Sequence, residues 1–381
     1  MPNAQSLSAL STLQISLPLP PVVKPVCSYK SIQSIFSSLA PSHPFSPSQI
    51  PAPQQQPATM TAPIPILFSL LFLLLCQASA LELSDRPTLM YGTLWSGGGG
   101  AMTEHSKDVT AELVYKAIKS GFRHVDTACQ PRHYNEGGVG DGWTAAARDL
   151  DLRREDIWIQ TKFTGLNAHD PISRPYDANA PLEDRVSQSL EKSLDSLKTD
   201  YVDSWLMHAP EKSWDNHWKI WNTMESAVDE GKVRQLGISN FYKLEDVQWA
   251  YDHSRIKPKV LQNSFHAKSG HDVEIRAFCK EHDIEYQSFF TLTSNNEAYR
   301  HRDVVELAKE KGLTPEGLFF AFCMAIGISP LVGTTNELYM KDAIDLMDRI
   351  RSGEQIFVNN EDLAIVGNAL GTPEWNTEDE L

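Results

Sequence analysis

An α/β fold of the (β/α)8 TIM-barrel type is what the 381-residue sequence predicts, running from Pro87 to Ser352 and preceded by a disordered N-terminal extension. Three observations predict it. From Thr88 onward, short apolar β-prone runs alternate with amphipathic helical stretches, the pattern of successive βα units around a parallel sheet. There are eight such runs, and eight strands with crossover helices close most naturally into a barrel, which needs about 250 residues. The runs also end in polar or aromatic residues on seven consecutive units, and in such a barrel those ends share one rim.

Taken in order, residues 1–63 are rich in Ser, Pro and Gln and carry no acidic residue and no sustained helical or strand period, so this stretch is expected to be disordered. The apolar run Ile64 to Cys76 is followed by Ala78-Ser79-Ala80, so residues 64–80 read as a signal-like segment, too short for a comfortable membrane span. The run stands far from the N-terminus and only Lys24 and Lys30 precede it as charges, so a cytoplasmic protein is expected, with no membrane contact unless residues 64–76 act as an anchor. A start at Met60 would instead make residues 60–80 a signal peptide and point to the secretory pathway; a third origin for residues 1–80 is a leader absent from the natural protein.

The expected strands are Thr88 to Gly92, Phe122 to Val125, Ile157 to Thr161, Val202 to Met207, Arg234 to Ile238, Val260 to Gln262, Glu285 to Phe289 and Ser329 to Val332. Helices are expected at Leu182 to Leu197, where Val186, Leu190, Leu194 and Leu197 recur at three- and four-residue spacing, and at Val304 to Lys311. Residues 353–381 form an acidic, Trp-containing C-terminal segment expected to pack over one rim.

The net charge is −15, and the stretch from Glu82 onward is more acidic still, since the two charges before it are lysines. With no Lys/Arg run to make a local basic patch, a nucleic-acid partner is excluded. The cysteines Cys27, Cys76, Cys129, Cys279 and Cys323 have no CxxC or CxxH spacing and read as reduced structural thiols, with Cys129 the one near enough to the candidate site to be reactive. No metal-ligand spacing occurs, and His105, His169, His253, His271, His282 and His301 are expected at the solvated surface. Gly97 to Gly100 lacks the Lys-Ser/Thr of a phosphate loop and is expected to be a flexible first βα loop. The sequence carries no reading of oligomeric state.

The run ends are Asp126, Lys162, His208, Ser239 with Asn240, Gln262, Phe289, and Gly333 with Thr334. Carbonyl reduction needs a hydride source and an acid that protonates the developing alkoxide. Tyr134 is the candidate acid: a phenol ordinarily titrates near about 10, and an ammonium such as Lys162, held by Asp126, would lower it. His208 would then orient the carbonyl through a hydrogen bond. Each residue has a plainer alternative, a buried structural ion pair for Asp126 with Lys162 and ordinary packing for His208 and Tyr134. Their fixed order on consecutive units favours the catalytic set.

At this point the sequence resembles the aldo-keto reductases, from about Pro87 to about Asp348. The resemblance rests on Gly121-Phe122-Arg123-His124-Val125-Asp126-Thr127-Ala128, Tyr134-Asn135-Glu136 with Val139-Gly140, and Thr161-Lys162. It continues through Asp200-Tyr201-Val202-Asp203 leading to His208, and Gly231-Lys232-Val233-Arg234 leading to Gly237-Ile238-Ser239-Asn240-Phe241. It implies a tetrad of Asp126, Tyr134, Lys162 and His208. It also implies a nicotinamide held by Ser239, Asn240 and Gln262 and stacked on Phe289, with Thr93 and Trp95 lining the same pocket and Asp126, Gly333 and Thr334 among the cofactor residues. The implied cofactor is NADPH, with NADH the alternative, and the implied partner is a small-molecule carbonyl substrate.

The chain departs from the family pattern at three places. Cys129-Gln130-Pro131-Arg132-His133 lengthens the path from aspartate to tyrosine; Tyr134 is chosen because it precedes Asn135-Glu136, and His133 is the adjacent contender. The last strand ends in Val332-Gly333-Thr334-Thr335-Asn336 where many members carry a Lys-Ser pair, and Tyr339, with Lys341 close by, falls where they carry an arginine for the 2′-phosphate. The stacking position holds Phe289 instead of the frequent tyrosine. Trp95, Phe163 and Phe290 suggest an apolar lining suited to aromatic or aliphatic carbonyls. The alternative function is a catalytically slow regulatory barrel that keeps the nucleotide site. A carboxylate glycosidase is disfavoured because Asp126 is the lysine's partner and no second carboxylate ends a neighbouring strand.

Overall fold

The structure, a computed structural model, describes residues 88–94 and 106–371. Residues 1–63 and 64–80, with Cys27 and Cys76, lie outside the described residues, as do Trp95, Gly97 to Gly100, His105 and residues 372–381. The described residues form a closed barrel of eight parallel strands in chain order. The strands are β1 (Met90–Gly92), β2 (His124–Asp126), β3 (Trp158–Phe163), β4 (Val202–Met207), β5 (Val233–Ser239), β6 (Val260–Ser264), β7 (Glu285–Phe289) and β8 (Ile328–Val332).

Around them lie α1 (Lys107–Ser120), α2 (Glu136–Asp149), α3 (Leu182–Leu197), α4 (Trp214–Asp229), α5 (Leu244–His253) and α6 (Val273–Glu281). Three helices, α7 (Asn296–Tyr299), α8 (Arg302–Glu310) and α9 (Pro315–Ala325), separate β7 from β8, and α10 (Glu337–Arg351) and α11 (Asn360–Ala369) follow it. The C-terminal segment thus contains α11, whose Leu363 and Val366 join the hydrophobic core together with Leu370. No helix among the described residues is long and apolar enough to cross a membrane.

The strands alternate their faces. Ile159, Trp205, Met207, Leu236, Ile238 and Leu261 turn outward into the apolar layer shared with the helices. The inward face carries a hydrogen-bonded polar cluster that includes Gln160, Lys162, Gln262 and Gln287. Helix α2 lies close to both neighbours because its first turns are glycine-rich. A Cβ at Gly138 would meet the Lys107 carbonyl at 2.6 Å, one at Gly142 the Ala111 carbonyl at 2.5 Å, and one at Gly140 the Ser196 carbonyl. That close approach sets where the chain enters α2, just after Tyr134.

Residues of the later motifs also build the fold. Asp203 is clamped by Arg154 at 2.8 Å and Arg234 at 3.0 Å. Both guanidinium groups lie over the Tyr201 ring, 4.2 and 4.3 Å from its centroid. Burial still pushes the Asp203 carboxyl above its ordinary range, against the pull of the two arginines.

Candidate active site

The site is assembled on the inward-facing end of β3. Lys162 Nζ donates to both carboxylate oxygens of Asp126, each at 2.7 Å, and to the Thr127 carbonyl at 2.9 Å. Both side chains are almost wholly buried. Asp126 Oδ1 also accepts from Gln160 Nε2 at 2.8 Å and Gln262 Nε2 at 3.0 Å, and the same two amides donate to Gln287 Oε1. Burial lowers the Lys162 ammonium from its usual value, and the Asp126 charge opposes that shift.

Tyr134 reaches this pair from the loop ahead of α2. The additional residues between Ala128 and Tyr134 form a turn in which the His133 and Tyr134 amides both donate to the Gln130 carbonyl, at 2.9 and 3.0 Å. The longer path is thereby folded back on itself. Asn135 caps α2 by accepting from the Gly138 amide. Lys162 Nζ lies 5.6 Å from the Tyr134 ring centroid, and the His208 ring meets Tyr134 edge-on at 6.1 Å.

The expected lowering of the phenol does not occur. Burial pushes the Tyr134 hydroxyl well above its ordinary value and the Asp126 charge adds to the rise, while the Lys162 ammonium donates to the Asp126 carboxylate. His208, just beyond β4, donates its amide to the Phe163 carbonyl and accepts from Asn240 Nδ2 at its own carbonyl. Burial and the neighbouring Lys162 charge push its imidazole down to about 3, so the ring is neutral.

A cavity of about 560 Å³ opens above these groups. Asp126, His133, Tyr134 and His208 line it together with Ser239, Asn240, Gln262 and Phe289. It continues past Phe290 and Glu316 to Gly333, Thr334, Tyr339 and Asp342, and none of its described lining residues is Lys or Arg. Lys341 is instead paired with Asp345. Two lining residues hold left-handed backbone, Asn240 at φ 62° and Phe290 at φ 52°, which is costly for an aromatic residue. The loop that imposes it on Phe290 is pinned by Asn295, whose amide donates to the carbonyls of Phe265 and Thr291.

Several expected residues sit elsewhere. Thr93 is buried beneath β2, where its hydroxyl and amide both donate to the Asp126 carbonyl, and it is not part of the described cavity lining. Phe163 faces outward and stacks on Tyr176, so it does not line the cavity. Cys129 is buried and its thiol is pushed far up by desolvation, which makes it inert; Cys279 and Cys323 are likewise free and buried. His169 and His271 were expected at the surface and are buried, bonded to the Thr164 carbonyl and to Asn295.

Other residues went unrecognised in the sequence. Gln160 and Gln287 complete the polar floor, and Glu136 accepts from Thr161 at 2.6 Å and from Ser193 at 3.1 Å directly behind Lys162. Gln160, Lys162 and Thr164 are spaced by two. That spacing was the available signal that they share a face.

The aldo/keto reductase family model matches residues 88–356. The chain is 28% identical over 264 residues to the 9,11-endoperoxide prostaglandin H2 reductase of Trypanosoma cruzi, covering 68% of this chain and 85% of that one. It is 31% identical over 198 residues to the glyoxal reductase of Bacillus subtilis, covering 52% and 63%. Among solved structures, the Bombyx mori aldo-keto reductase AKR2E4 in complex with NADP superposes with a TM-score of 0.58 at 23% identity, covering 74% of this chain and 88% of that one.

The closed barrel with its polar rim therefore defines an oxidoreductase of the NAD(P)H-dependent carbonyl class. The chain belongs to the aldo/keto reductase family.

Proposed function

We propose that this protein reduces a small aldehyde or ketone with NADPH, Tyr134 protonating the carbonyl oxygen and His208 orienting it. The observation that carries the proposal is the meeting of Tyr134 and His208 at one wall of the cavity, above the buried Lys162–Asp126 pair. The same cavity presents Ser239, Asn240, Gln262 and Phe289, an amide-binding set with an aromatic face, which fits a nicotinamide ring and its carboxamide.

When bound, the cofactor supplies the hydride that the carbonyl carbon receives. Tyr134 holds its proton through neutral pH because its phenol is pushed up, which is the protonation state that reduction requires. Lys162 and Asp126 supply a fixed, nearly neutral dipole beneath it, and the neutral His208 ring is free to hydrogen-bond the carbonyl. At the outer end Gly333, Thr334 and Tyr339 provide hydroxyl and backbone groups and no cation, so NADH is expected to bind as well and the 2′-phosphate to add little affinity.

The test is steady-state turnover of NADPH and NADH with methylglyoxal and an activated aromatic aldehyde, for the wild type and for Tyr134→Phe. The substitution should lower kcat by about 10²- to 10⁴-fold and leave cofactor affinity nearly intact. Undiminished turnover in the variant removes Tyr134 from its role. Tight cofactor binding with no turnover in the wild type would favour the slow regulatory barrel.

A further inference from the structure

We propose that Thr164 selects the tautomer of His208, keeping the ring proton on Nε2 so that the imidazole offers a hydrogen-bond donor to the reacting oxygen. The inference rests on the assignment of His208 to that oxygen. Thr164 stands two residues beyond Lys162, is 2% exposed, and places its hydroxyl 2.7 Å from His208 Nδ1. Either group could be the donor in an isolated pair, so the direction is decided by what surrounds them.

The surroundings leave one direction. The Thr164 carbonyl already accepts from the Tyr176 hydroxyl at 2.9 Å and from His169 Nε2 at 3.1 Å, which uses both of its lone pairs. His169 must carry its own proton on Nε2 to make that bond. Among the described residues the Thr164 hydroxyl therefore has His208 Nδ1 as its acceptor and no other. In the opposite arrangement Nδ1–H would donate to Thr164, and the hydroxyl proton would be left buried without a partner, which is the disfavoured case. The ring is neutral, so it carries one proton, and with Nδ1 accepting that proton lies on Nε2.

The consequence reaches further than one bond. Tyr176 and His169 belong to the β3–α3 connection, and their two hydrogen bonds fix the backbone from which the Thr164 hydroxyl projects. That connection thus sets the donor character of a cavity residue without lining the cavity itself. Thr164 is a positioning residue.

The experiment is nitrogen-15 NMR of histidine-labelled full chain, with the His208 signals assigned by their loss in His208→Ala, alongside steady-state kinetics. The wild type should show the Nε2–H pattern. Thr164→Val, close in shape and lacking the hydroxyl, should shift His208 toward Nδ1–H and lower kcat about 10- to 100-fold with cofactor affinity unchanged. Thr164→Ser should restore both. A wild-type ring protonated on Nδ1, or a Thr164→Val protein that keeps the wild-type tautomer, overturns the inference. A shifted tautomer with unchanged kcat supports the tautomer assignment and instead removes His208 from the proposed reaction.

Discussion

Replacing Lys162 with Met tests the pair beneath the site. The ammonium makes three contacts, two to Asp126 at 2.7 Å and one to the Thr127 carbonyl at 2.9 Å, and both side chains are almost wholly buried. Without it Asp126 keeps the amide donors of Gln160 and Gln262 on Oδ1, but among the described residues Oδ2 has no donor left. Breaking a buried pair by removing one partner costs about 3–5 kcal/mol, and the two surviving amide bonds place this case near the lower end, at about 3 kcal/mol. For a domain of this size that is a fall in Tm of roughly 6–12 °C. Because most of the cost is an uncompensated carboxylate, Asp126→Asn added to Lys162→Met should recover at least half of it. Urea unfolding followed by tryptophan fluorescence measures all three variants. A loss under about 1 kcal/mol for Lys162→Met, or a double variant no more stable than the single one, would refute the reasoning.

Other outcomes follow from the same geometry. With the His208 ring pushed down to about 3 and the Tyr134 phenol pushed up, neither ionises near neutrality, so kcat/KM should be flat from about pH 5.5 to about pH 9; a step near about 6.5 would contradict a neutral His208. Burial holds the Glu136 carboxyl above its ordinary range, so its contribution to folding is present at low pH and lost as pH rises through the raised value; Glu136→Gln should gain stability relative to wild type as the pH is raised above the ordinary carboxylate value of about 4, and parallel melting curves would refute it. Gly140→Ala drives a methyl into the Ser196 carbonyl and should cost about 1–3 kcal/mol in a melting experiment, whereas an unchanged Tm would show that α2 and α3 can separate freely. Tyr339→Arg would bring a cation to the outer cavity wall and should raise the affinity for NADPH over NADH about tenfold in a fluorescence titration; an unchanged ratio would place the 2′-phosphate elsewhere.

The sequence is most legible where one period is strong. Leu182–Leu197 falls where expected because its apolar residues recur at three- and four-residue spacing, and the strands Val202–Met207 and Glu285–Phe289 also fall where expected although polar residues interrupt both. Strand β2 starts later than expected, at His124, because Gly121 caps α1 with φ 122° and the chain needs Phe122 and Arg123 to turn back to the sheet. In the site, one cavity brings together Asp126, Tyr134 and His208, which stand out in the sequence because they end strands or belong to a motif. Gln160, Gln287 and Thr164 are less legible because each stands two positions from a strand-end residue on the same face, where no change of residue type marks it. Thr93 lies outside the described cavity lining, between the lining residues Gly92 and Leu94, with its hydroxyl donating to the Asp126 carbonyl, a non-local contact that no local pattern announces.

The polar floor of the barrel has a direction. Asp126 accepts from both Gln160 and Gln262, so each must turn its nitrogen toward the carboxylate. The second N–H of each amide then goes to Gln287 Oε1, which orients Gln287 in turn and sends its own nitrogen back to Gln160. Every N–H of Gln262 is consumed in this ring, and its oxygen is what remains for the cavity it lines. One carboxylate on β2 thus dictates, two strands' worth of glutamines away, that the floor meets a guest as an acceptor. A guest bearing an amide N–H is welcomed there, and one presenting only a carbonyl finds no answering group at Gln262.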